Sequence, residues 1–166
     1  MPDTFIKIAS VTVGSGGASS IDFTSIPSTY TDLCIKISGR STSADDQILI
    51  SLNGSTSSFS NKVLYGNGSA AASTSVARFV AYQTPGTGTT ANTFGNSEIY
   101  IPNYAGSNNK SNSGDAVWEQ NATTAFAALN ASLWSNTAAI TQITFTPSSG
   151  NFAQYSTATL YGIKNS

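Results

Sequence analysis

Eight carboxylates and no histidine are what this 166-residue chain offers to acid–base chemistry. The acids are Asp3, Asp22, Asp32, Asp45, Asp46, Glu98, Asp115 and Glu119. A hydrolytic triad needs a base of suitable pKa, usually histidine, and no Ser-x-x-Lys motif opens a helix to replace it. A glycosidase needs two carboxylates across a cleft, and nothing in the spacing of these eight recommends a pair. Asp45-Asp46 is the only adjacent pair of acids. It falls between two predicted strands and lacks the D-x-D-x-D-G pattern of a calcium loop, so a solvated turn is expected there. Cys34 is the only cysteine, which excludes an intrachain disulfide and, without histidine, makes a structural zinc site implausible. It lies in the strand-like run Asp32–Ile37, where a small half-buried side chain is expected and not a reactive thiol. No cofactor and no catalytic residue is expected, and the chain reads as a non-enzyme.

What remains is contact chemistry. Two polar stretches, 84–96 and 103–114, contain almost no aliphatic side chains and have the length of loops that carry function or stay mobile. The interface candidates are Thr89 and Thr90 in the first, and Asn103, Tyr104, Asn108 and Asn109 in the second. Tyr82, Tyr100, Tyr104, Trp118 and Trp134 could form a carbohydrate platform; core packing is the favoured reading for both tryptophans, and Tyr104 is the best placed for exposure. The Asn-x-Ser/Thr triplets at Asn53, Asn67, Asn109, Asn121 and Asn130 follow from composition. The glycine clusters open no predicted helix, so they are not phosphate cradles.

Only 9% of residues are charged, against roughly a quarter in an ordinary soluble domain. Serine and threonine supply about three residues in ten. Such a surface carries little long-range field and repels copies of itself weakly. The net charge is −1 and the seven basic residues are scattered, so no nucleic-acid footprint exists. No stretch approaches the length of a membrane-spanning helix. The opening Met1-Pro2-Asp3 shows no basic patch followed by an apolar run, from which no secretory signal is expected.

Elements that could position these groups are short strands bounded by glycine, proline, asparagine or serine. They are predicted over 5–13, around Ile21 and Phe23, and over 32–37, where Leu33, Ile35 and Ile37 share one face. Ile48, Ile50 and Leu52 repeat the alternation and stop at Asn53-Gly54, a tight-turn dipeptide. Further strands are predicted over 62–65, 76–83, 98–101, 116–119, 140–145 and 157–163. Thr123 to Trp134 satisfies both periods. Phe126, Leu129 and Leu133 have helical spacing, whereas Ala127, Leu129, Ala131 and Leu133 alternate as in a strand; the all-β surroundings favour the strand. The fold class expected is all-β, one antiparallel β-sandwich of jelly-roll type spanning 1–166.

The runs Ser25-Ile-Pro-Ser-Thr-Tyr-Thr-Asp-Leu33, Leu49-Ile-Ser-Leu-Asn-Gly54, Ile99-Tyr-Ile-Pro-Asn-Tyr104 and Thr159-Leu-Tyr-Gly-Ile-Lys164 resemble a family of small virion proteins of tailed bacteriophages, notably those of cyanobacteria and other aquatic bacteria. The resemblance runs from Phe5 to Lys164 and rests on the order and spacing of the motifs. It implies a structural role in the virion, assembled in the host bacterial cytoplasm, with no catalytic residue. The compact length fits a capsid decoration or cement protein that binds the major capsid protein. Homotrimers are expected by analogy with the three-fold positions of shells. The alternative is a tail-associated or tail-fibre module that reads a cell-surface glycan through the two polar loops. Neither reading expects a nucleic-acid or membrane partner.

Overall fold

A computed structural model describes residues 4–44, 46–119 and 125–164, with the side chains of Asp46 and Tyr82 left out. The alternating sequence produces twelve strands and, among the described residues, no helix. They are β1 (Phe5–Thr12), β2 (Ile21–Phe23), β3 (Asp32–Gly39), β4 (Asp46–Leu52), β5 (Phe59–Gly66), β6 (Ala71–Val76), β7 (Phe79–Thr84), β8 (Gly95–Ile101), β9 (Lys110–Trp118), β10 (Phe126–Trp134), β11 (Ile143–Pro147) and β12 (Thr157–Ile163). Two antiparallel sheets pack face to face, one in the order β1-β12-β3-β8-β9-β10-β5-β6 and the other β2-β11-β4-β7.

Eight of these strands form a jelly-roll frame. The first strand pairs the last, β2 pairs β11, β3 pairs β8 and β4 pairs β7, with successive pairs falling in alternate sheets. This is a long antiparallel ribbon folded over on itself. The remaining four strands are two hairpins, β5-β6 between β4 and β7, and β9-β10 between β8 and β11. They join each other through β10 and β5 and extend the first sheet sideways as a wing.

The frame buries aliphatic and aromatic side chains from both sheets. Leu33, Ile35 and Ile37 of β3, Ile99 and Ile101 of β8, and Leu160 of β12 meet Ile21 and Phe23 of β2, Ile48, Ile50 and Leu52 of β4, and Ile143 and Phe145 of β11. Phe23 and Phe145 touch edge to face at 6.2 Å, the arrangement that the ring quadrupoles favour. Asn53 and Gly54 both take positive φ and close a tight turn. That turn sends the chain across to the other sheet instead of pairing β4 with β5. The Asn53 side chain ties it to the approach to β11 by donating to the Ala139 carbonyl at 2.7 Å and accepting from the Thr141 amide at 2.8 Å.

The ambiguous segment is strand β10 where described; residues 120–124 lie outside the described part. Two expectations need correction. The predicted loop 103–114 is a loop only to residue 109, because Lys110–Trp118 forms a nine-residue strand. The predicted strand over 76–83 is broken: Val76 closes β6 and Phe79 starts β7. The serine- and alanine-rich β6 was not expected from its composition.

Candidate interaction surface

The predicted contact loops do not form one site. Residues 85–94 lead into β8 and 102–109 lead out of it, so they sit at opposite ends of a strand. Each is held from within. The Arg40 guanidinium donates to the Thr93 carbonyl at 2.8 Å, the Thr90 carbonyl at 3.0 Å, the Gly86 carbonyl at 2.7 Å and the Thr89 hydroxyl at 3.1 Å. Thr89 is buried and its hydroxyl donates to the Gly86 carbonyl, whereas Thr90 is exposed. Gly86 is required: a Cβ there would lie 2.2 Å from the Ser43 carbonyl oxygen.

In the second loop Tyr104, expected to be exposed, is fully buried. Its phenol donates to the Pro27 carbonyl and burial raises its pKa. The apolar ring supplies enough buried area to outweigh its polar sequence neighbours. Asn103 takes positive φ, and its amide donates to the Asp32 carboxylate at 2.9 Å. The other Asp32 oxygen accepts from Tyr100 at 2.6 Å, and that bond, with some burial, holds the phenol up to about 12. Lys110 is also fully buried; it donates to the carbonyls of Gly106 (2.7 Å) and Asn108, and burial lowers its pKa. Asn108 and Asn109 are exposed.

The remaining chemical candidates are dispersed too. Trp118 and Trp134 are buried, so neither is a surface platform. Cys34 is buried in register between Tyr161 and Tyr100. Burial first, and the Glu98 carboxylate second, push its thiol up to about 11, which keeps it protonated and unreactive near neutrality. Asp45 lies outside the described residues. Among the described residues no three potential metal ligands cluster.

A different surface stands out, on the wing. On the frame half of the large sheet the outward residues are polar at one end, with Thr157, Thr159, Ser38, Asn96, and Lys36 paired to Glu98 at 2.7 Å, a bond that raises the lysine pKa, and aromatic at the other, where Phe5 packs on Tyr161 and Tyr100 is partly exposed. On the wing the inward side is mixed, with amides set among Phe59, Val63, Trp118, Ala128 and Trp134. Asn61, Asn112, Asn130 and Ser132 face inward and are buried, with Asn61, Ser132 and Asn112 directly opposite one another on β5, β10 and β9. Ser132 donates to Asn61 at 2.6 Å. The Asn61 amide nitrogen, the Asn130 carbonyl oxygen and both ends of the Asn112 amide have no hydrogen-bond partner in the protein.

Aromatic clusters bracket this amide row. Phe59 stacks on Trp134 at 6.1 Å at one end, and Trp118 on Phe126 at 5.4 Å at the other. The outward face of the same strands carries Leu64, Leu129 and Val117, exposed by 56%, 62% and 42%, with Ala127 and Ala131 beside them. Leu64 and Leu129 are direct cross-strand partners. Among the described residues of β9, β10, β5 and β6, the outward charges are Asp115 and Lys62 alone. The result is an exposed apolar cluster on a mostly uncharged sheet.

Sequence patterning identified β10 as a strand but not which way its apolar side points. The signal available was that its alternate residues, Asn130 and Ser132, are themselves uncharged and can be enclosed. Searches with the chain found no matching family model, no similar curated protein and no similar solved structure.

Proposed function

We propose that this chain is a structural subunit of a tailed-bacteriophage virion that seats on the capsid shell as a decoration or cement protein, with the outward face of the wing as its docking surface. The observation that carries the reading is the outward face of the wing, where Leu64, Leu129 and Val117 stand together in water. A monomer gains nothing from Leu64 and Leu129 in water, whereas covering such side chains contributes about 1 kcal/mol or more each. The low charge of the chain supports dense packing on a lattice, where many modest contacts add up. The jelly roll is compatible with this role by analogy, since the same architecture also serves lectins and enzymes. The partners in this reading are the major capsid protein and neighbouring copies of the chain, and the role is non-catalytic.

The test is to purify particles carrying the chain, locate it by cryo-electron microscopy and count its copies. Many copies over the shell, lost when Leu129→Glu is introduced, is the expected result. A few copies confined to the tail would replace this reading with the glycan-binding one. Absence from the particles would overturn both.

A further inference from the structure

The two sheets have four edge strands, and three of them are guarded. β1 carries Lys7 and a register break between Lys7 and Ala9. β2 is three residues long with Asp22 at its centre. β7 has an irregular register against β4 and packs onto β9 and β10 of the opposite sheet. Charges, bulges, shortness and cover are the devices by which proteins stop edges from recruiting further strands. β6 has none of them. Its sequence, Ala71-Ala-Ser-Thr-Ser-Val76, contains no charge and no proline, and its register with β5 is continuous from Asn61–Val76 to Gly66–Ala71. Its inward residues Ala72, Thr74 and Val76 are only half-buried, so the second sheet does not close over it.

We infer that β6 pairs antiparallel with β6 of a second copy of this chain, about a two-fold axis normal to the sheet. The sixteen-stranded sheet that results would keep both wing faces on one side. This goes beyond the virion reading and does not depend on it. A second copy is the occupant that the edge fits. Antiparallel self-pairing across a two-fold needs a strand that tolerates its own side chains opposite it, and alanine, serine and threonine do so without like charges meeting. The nearest charge, Lys62, sits one strand in and donates to Ser75. In the pair each ammonium stays tied to Ser75 of its own copy, on the outward face of the sheet and off the hydrogen-bonding edge. One six-residue edge is a small interface, so the dimer is weak and concentration-dependent. The symmetry is two-fold, in place of the three-fold order that shell positions suggest.

Sedimentation velocity of the full chain over a wide concentration range tests this, with circular dichroism and thermal melting as checks on folding. The expected result is a monomer–dimer equilibrium weakened at least tenfold by Ser73→Lys and, as a second variant, by Ser73→Glu. Ser10→Lys on the β1 edge should leave it unchanged. In a Cys34→Ala background, Ser73→Cys or Thr74→Cys should give a disulfide-linked dimer on mild oxidation. A monomer at every concentration, a trimer, or association that survives both Ser73 variants would overturn the inference. Association lost through Leu129→Glu but not through the Ser73 variants would overturn it as well, moving self-contact from the edge to the face.

Discussion

β3 and β10 lie in one sheet and alternate with the same period, but they enclose and expose different side chains. β3 turns Leu33, Ile35 and Ile37 inward and Lys36 and Ser38 outward. β10 turns Phe126, Ala128 and Trp134 inward as well, but with Asn130 and Ser132 between them, and Leu129 and Ala131 outward. The frame therefore satisfies its own apolar side chains, because two sheets close over them. The wing leaves Leu64, Leu129 and Val117 in water, and it encloses amide groups whose desolvation costs about 1–3 kcal/mol when no partner accepts or donates. An edge-on extension of a jelly roll can stand because the frame supplies the stability and the wing only has to avoid losing it.

The contrast can be broken most sharply by truncation. Phe145→Ala in the frame should lower the unfolding free energy by about 3–5 kcal/mol, whereas Leu129→Ala on the wing should change it by no more than about 0.5 kcal/mol. Urea denaturation of both variants measures this, and comparable losses would make the wing face part of the monomer's core. Next in size is Arg40→Lys. The flexible ammonium cannot reproduce the fork that holds four groups of the 86–93 loop. A loss of about 2 kcal/mol is expected, with faster hydrogen exchange at the Thr87 and Thr89 amides.

A smaller effect of opposite sign is expected inside the wing. Asn112→Leu replaces an amide that has no protein partner by an apolar group of similar size, and should stabilise by about 1 kcal/mol. The matching change in the frame, Ile35→Asn, should be strongly destabilising, and thermal melting distinguishes the two. The effect that vanishes at neutral pH is a pH dependence on the frame. The Cys34 thiol ionises at about 11 when folded but near 8.5 when unfolded. Above pH 8.5 the unfolded state therefore binds fewer protons than the folded one, and stability falls until about pH 11. Cys34→Ala should flatten that part of the stability profile, leaving the later decline due to Tyr100.

Most frame strands were legible because their inward residues are Ile, Leu, Val or Phe at every second position, the pattern a two-sheet core imposes. β9 was legible only over 116–118, because its earlier inward residues are Lys110, Asn112 and Gly114, which resemble a loop until their placement in the sheet is seen. β6 was hidden for a related reason: an edge with neither face fully covered needs no apolar alternation. Tyr104 was assigned to the surface from its polar neighbours, but the contact that decides its place is the Pro27 carbonyl, seventy-seven residues away. Arg40 reaches its loop across at least forty-six residues, a pairing that no local spacing announces. The wing face was partly visible, since Ala127, Leu129, Ala131 and Leu133 alternate plainly. Which side of the sheet they occupy depends on what the neighbouring strands enclose, and that is a property of the assembled layers.

Because β1 bonds to β12, the outermost turn of the roll joins the beginning of the chain to residues made more than 140 positions later. During synthesis the amino-terminal strand has no partner until the last strand leaves the ribosome. Closure is thus governed by long-range encounter, the kind of contact that slows folding. In the interval, growing chains present unpaired strands to one another, and a surface with few charges does little to keep them apart.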